Sequence, residues 1–111
     1  MRYIKAKYCE DYNPGQQVHT GSGELVGFMY GTYDGANKPV CFGLYDGTSS
    51  SGTLLIKINS GYSGTVQQGT PSQVVFPDNT SIKFSTGLFF EAILDSGANV
   101  APNTFTAFLS T

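Results

Sequence analysis

Apolar and polar residues alternate along this chain in short runs, and Gly, Pro, Asn and Asp separate the runs. A period of two predicts half-buried strands, and no window carries the three-to-four-residue spacing of a helix. The first run covers residues 2–8, "RYIKAKY", and residues 9–23, "CEDYNPGQQVHTGSG", read as a loop. A long run over 24–33 sets Val26, Phe28 and Tyr30 on one face. In the strand over 36–45, Val40, Phe42 and Leu44 alternate with Cys41, Gly43 and Tyr45. The turn "DGTSSSG" leads to Leu54, Ile56 and Ile58 on one face, and a Gly/Ser/Gln-rich loop covers 59–72. Runs at 74–76 and 81–84 flank the tight-turn signal "PDN", and runs at 88–94 and 103–110 complete the chain. About eight strands at this spacing predict an all-β, antiparallel sandwich of jelly-roll type. Pro39, Pro77 and Pro102 fall at run boundaries, where a missing N–H does no harm.

One phrase occurs twice: "GTYDG" at 31–35 returns as "GLYDG" at 43–47. A calcium loop needs several oxygen ligands at alternate positions and a distant bidentate acid. "DGANK" and "DGTSS" each offer one acid and no such partner. Both pairs sit where one run ends and the next begins. Gly there accepts positive φ, and Asp bonds its own backbone two residues on. The repeat therefore reads as two turns, not as a metal site.

Composition narrows the function. The 111 residues suit one domain with its own core. Charged residues are only 13% of the chain, so its surface is polar but weakly charged. A net charge of −2 argues against nucleic acid, whose phosphates need many Lys and Arg. No apolar run approaches a membrane span, and "MRYIKAKY" lacks the apolar stretch of a signal peptide. The expectation is a soluble chain made in a cytoplasm, without membrane contact, with Cys9 and Cys41 as reduced thiols.

Nothing in the sequence assembles a catalytic constellation. His19 is the single histidine, and a Cys–His pair with Cys9 or Cys41 would lack an orienting third group. It reads as a solvated loop residue. Glu24 and Glu91 could form a glycosidase pair in principle, but each sits in an alternating run at a solvent-facing position. No zinc spacing, phosphate loop or dinucleotide fingerprint occurs. The expectation is a protein that is not an enzyme, with no catalytic residue, no cofactor and no metal.

Two asymmetries suggest a contact surface. All seven tyrosines lie between residues 3 and 62, whereas only Phe76, Phe84, Phe89, Phe90, Phe105 and Phe108 follow. Tyrosine suits half-wet interfaces and phenylalanine a dry core. Arg2, Lys5 and Lys7 are half of the six basic residues. A basic segment on a mildly acidic body reads as a docking strand, or as an edge strand guarded by lysines. The expected partner-binding residues are Arg2, Tyr3, Lys5, Lys7, Tyr8 and Tyr12. Tyr45 and Tyr62 are further exposed aromatic contacts. The chain then divides into a docking segment over 1–21 and a sandwich over 22–111.

"GLYDGTSSSGTLLIKI" at 43–58 and "FSTGLFFEAI" at 84–93 resemble the small virion proteins of tailed bacteriophages. Those chains carry a strand ending in Tyr-Asp-Gly-Thr-Ser, a Ser/Gly turn, a β-branched strand and a late Phe-x-x-Gly-Leu. The likeness covers roughly residues 22–111. It implies a β-sandwich built into the virion as head decoration or tail appendage. The leading expectation is a capsid decoration or cement protein, held to the major capsid protein and to further copies of itself in a trimer. The alternative is a carbohydrate-binding adhesin module of a tail fibre or capsid appendage.

Overall fold

A computed structural model describes residues 4–9, 15–31, 41–59, 71–92 and 104–110. These residues form nine strands: β1 (Ile4–Cys9), β2 (Gln16–Thr20), β3 (Gly23–Gly31), β4 (Cys41–Asp46), β5 (Thr53–Asn59), β6 (Pro71–Val75), β7 (Ile82–Phe84), β8 (Gly87–Ala92) and β9 (Thr104–Ser110). All pairings are antiparallel. The first sheet runs β1-β9-β3-β6, with β7 also on β3, and the second runs β2-β8-β4-β5. The two sheets pack face to face as a sandwich, which is the architecture that alternating apolar runs require.

The core fills the gap between the inner faces. Phe28 and Phe105 come from the first sheet and Phe42 and Phe90 from the second, and all four are fully buried. Phe90 stacks on Phe105 with ring centroids 4.3 Å apart, and Phe42 meets Phe105 edge-on at 5.4 Å. These contacts cross from sheet to sheet, so each ring buries apolar area and fixes the spacing between the layers. Leu25, Leu44, Leu88 and Leu109 surround the cluster.

Three strands depart from simple alternation. Register shifts at Val18 in β2, Val26 in β3 and Leu55 in β5 each insert one residue against a regular partner strand. Such bulges swap which residues face inward. Leu25 precedes one bulge and joins the core cluster, whereas Val26 is buried outside it. Leu55 packs against the core while Leu54 remains 48% exposed, so Leu54 does not share a face with Ile56 and Ile58.

The residues around "PDN" do not form a hairpin. β6 pairs with residues 27–31 of β3, and β7 continues along the same edge with residues 23–25. The intervening turn has a Thr80 N–H bond to the Pro77 carbonyl at 3.1 Å and Asn79 at φ 68°. It spans the Val26 bulge, whose carbonyl accepts the Phe76 N–H at 3.0 Å. The expected loop over 9–23 also contains a strand, β2, which pairs with β8.

Segment 1–21 supplies an edge strand to each sheet. β1 pairs with β9 over six residues, Ile4↔Ser110 to Cys9↔Phe105, and β2 closes the second sheet against β8.

Candidate functional site

β1 has its polarity reversed. Cys9 is buried in the core cluster, and the strand period places Lys7 and Lys5 on the same, inward side. They stand opposite the buried Ala107 and Leu109 of β9. Ile4, Ala6 and Tyr8 point the other way, into solvent, with Ile4 54% and Tyr8 55% exposed. The register explains this arrangement. A slip by one residue would bury Ile4, Ala6 and Tyr8 but expel Cys9 from the core. Lysines turned inward at an open edge are a known guard against uncontrolled strand pairing. Among the described residues Lys5 and Lys7 form no ion pair.

The outward apolar residues of β1 continue across the first sheet. The pairings align three cross-strand rows on its outer face: Ile4, Ser110, Glu24 and Lys83; then Ala6, Phe108, Gly27 and Val75; then Tyr8, Thr106, Met29 and Gln73. Val75 is 58% exposed, and the Phe108 ring leans over Gly27, 3.3 Å from where a Cβ would stand. The first row is polar at its far end, where Lys83 Nζ lies 3.9 Å from Glu24 Oε1. The Ser81 hydroxyl also donates to that oxygen, at 3.3 Å.

The outer face of the second sheet is different. Tyr45 pairs with Phe89 of β8 and Leu54 of β5, and Phe89 pairs with Gln17 of β2. Gly43 separates Lys57 from Glu91 in the neighbouring row. Loss of solvent pushes the Tyr45 hydroxyl pKa up, and the charges of Glu91 and Cys41 add to the shift. Tyr45, expected as an exposed aromatic, is half-buried.

At one end of the sandwich the turns are tied together. Asp46 closes β4, as the Asp-Gly reading expects, but its carboxylate does not serve its own turn alone. Oδ2 accepts the Ser85 N–H at 2.9 Å and the Ser85 hydroxyl at 3.2 Å. Oδ1 accepts the Thr86 N–H at 2.9 Å and the Gly87 N–H at 3.3 Å. The Ser85 and Thr86 amides hold the Asp46 carboxyl below the usual carboxylate range, and a smaller desolvation effect opposes them. Beside this clamp, Gln17 Nε2 donates toward the carbonyls of His19 at 2.6 Å and of Gly47 and Leu88 at 3.1 Å each. The end of β4 with its turn, the end of β2 and the β7–β8 link are thus bound to one another.

Of the expected partner-binding residues, Lys5, Lys7 and Tyr8 share β1 but not one face, while Arg2, Tyr3, Tyr12 and Tyr62 lie outside the described residues. So does the first Asp-Gly pair, Asp34-Gly35. His19 belongs to β2 and not to a loop; its ring meets Phe84 edge-on at 5.7 Å. Glu24 and Glu91 stand on different sheets, so they do not form a carboxylate pair across one face. Among the described residues no three His, Cys, Asp or Glu side chains converge on a point that could hold a metal ion. Cys9 and Cys41 are both buried and form no disulfide, and burial raises the Cys9 pKa. The sequence pattern missed Ile4, Ala6, Phe108, Met29 and Val75 as one surface, because only the β1–β9–β3–β6 order unites them.

No family model, no curated protein and no solved structure matches the chain.

Proposed function

We propose that this chain is a jelly-roll structural protein of a phage virion, a decoration or cement protein that fastens to the major capsid protein on the outer head surface. The jelly-roll reading is supported by the strand order. β6 and β7 share one edge, so the nine strands occupy eight places, ordered 1-9-3-6 and 2-8-4-5 as in two Greek keys folded together. The virion reading draws on the sequence likeness over residues 43–58 and 84–93.

The observation that carries a binding role is the reversed polarity of β1. Among the described residues β1 is an edge strand whose lysines, without ion pairs, line its inner side and offer a basic handle to a protein surface. The lysines steer the chain toward an acidic surface of the head and hold it there. Such a protein acts by mass action: contacts made across a joint between capsomers must be broken before the joint opens. Counting copies of the chain in purified particles by quantitative mass spectrometry tests this. Hundreds of copies per particle support head decoration. A few copies, or none, contradict it.

A second reading, a carbohydrate-binding adhesin, is supported by the Tyr45 and Phe89 pair on the outer face of the second sheet, flanked by Gln17 and Leu54. Aromatic rings with amide neighbours suit sugar faces and hydroxyls. Glycan binding that Tyr45→Ala abolishes would favour it over decoration.

A further inference from the structure

We infer that the outer face of the first sheet is a self-association surface whose occupant is the same face of a second copy of this chain, related by a two-fold axis. The inference rests on the structural, surface-binding reading above and names one of its partners.

The rows already described make the face apolar at its centre. Ala6, Phe108, Gly27 and Val75 cross all four strands, with Ile4, Tyr8 and Met29 on either side. Ile4, Tyr8 and Val75 are each more than half exposed. Ser110, Thr106, Gln73 and the Glu24–Lys83 pair form a polar rim. An apolar centre inside a polar rim is the make-up of a protein–protein interface.

Charge selects the partner. The only ionised groups in the three rows are Glu24 and Lys83, which sit 3.9 Å apart and cancel. Lys5 and Lys7 point to the other side of β1. Two copies laid face to face therefore bring together no net charge, and the apolar centre of each meets its like. A strongly charged partner would find nothing on this face to match it.

Size is adequate as well. Four strands about 4.8 Å apart and three rows about 7 Å apart make a face of roughly 400 Å² before side-chain relief is counted. Two such faces, with that relief, come to about 1,000 Å², the threshold for a specific interface and the size of a weak, reversible pair. Sheets stack about 10 Å apart with strands about 30° off parallel, a geometry that one two-fold axis satisfies and closes. That gives a pair of chains.

The test is sedimentation velocity with light scattering on the full chain alone, from low-micromolar to sub-millimolar concentration. The expected result is a species of twice the 11.9 kDa chain mass. The double variant Ile4→Lys/Val75→Lys should weaken the pair at least about tenfold, because a two-fold axis brings four added like charges together. Leu54→Lys, an equally exposed residue on the other sheet, should leave the pair intact. Circular dichroism melts check that each variant folds. A wild-type chain that stays monomeric throughout would overturn the inference, as would a pair unaffected by Ile4→Lys/Val75→Lys. A monomer that binds heads and loses that binding on the same double change would assign the face to the capsid, overturning the self-association while sparing the decoration reading.

Discussion

Thr86 donates its backbone N–H to Asp46 Oδ1 at 2.9 Å, joining residues 40 apart in the chain. Ser85 and Gly87 donate to the same carboxylate, so Asp46 holds the β7–β8 link against the end of β4. An Asn at this position keeps one acceptor but turns an NH2 toward backbone N–H groups. Asp46→Asn should therefore lower the melting temperature clearly, where a turn residue bonding only its own backbone would tolerate the change. Thermal melts followed by circular dichroism decide it, and an unchanged midpoint would remove the clamp from the account.

The same contact gives a pH dependence. The folded carboxyl is held below its ordinary value of 3.8, chiefly by the Ser85 and Thr86 amides. A depressed carboxyl pKa stabilises the fold above the unfolded value, and that contribution is lost as pH falls through the folded one. Wild-type stability should therefore drop below about pH 4, the unfolded Asp range. In Asp46→Asn that part of the slope should be missing. Urea titrations at a series of pH values between neutral and strongly acid measure it.

Gly52 faces a carbonyl. A Cβ there would overlap the Asp46 carbonyl oxygen, and one at Gly47, where φ is 157°, would stand 3.2 Å from the Gly52 Cα. Gly52→Ala should cost about 1–3 kcal/mol, the range for forcing atoms into filled space. Gly21 is a contrast: at φ 92° nothing lies within 4 Å of its Cβ position. Gly21→Ala should cost only about 1 kcal/mol, from backbone strain alone. Denaturant unfolding of both variants compares them.

Phe90 should be among the costliest side chains to truncate. It stacks on Phe105 across the sheets and is fully buried, so Phe90→Ala should lose about 3–5 kcal/mol. Phe89, its half-buried neighbour on the outer face, should lose much less as Phe89→Ala. Equal losses at the two positions would contradict the assignment of faces in β8.

Much of the sandwich is legible in the alternating runs, because a strand buried on one face must repeat every second residue. Phe42 and Leu44 of β4, set on one face by that alternation, are both core. β2 does not, since "QQVHT" offers Val18 as its one apolar residue and depends on β8 for its place. Val26 and Leu54 mislead because the bulges beside them shift the period, and no local signal announces a bulge. The split between tyrosine and phenylalanine along the chain does not map onto surface and core either. Tyr30 is buried, while Phe89 and Phe108 alternate with core residues on outward-facing positions. The two sheets interleave both halves of the sequence, so composition by half cannot separate inside from outside. Asp46 was legible as a turn residue but not as a clamp, because its partners lie about forty positions away.

Removing residues 1–12 would be a poor test of docking, since it would strip β1 and expose the edge of β9. The charge of β1 can be changed instead. The most direct test of the central claim is co-sedimentation of the chain with phage heads that lack it, comparing wild type with Lys5→Glu/Lys7→Glu. Lys5 is exposed and Lys7 half-buried at an open edge, and the melts should show that the double variant still folds. Saturable attachment of the wild type, weakened by salt and lost or strongly reduced in the double variant, is the predicted result. No attachment of the wild type, or undiminished attachment of the folded double variant, would contradict docking through β1.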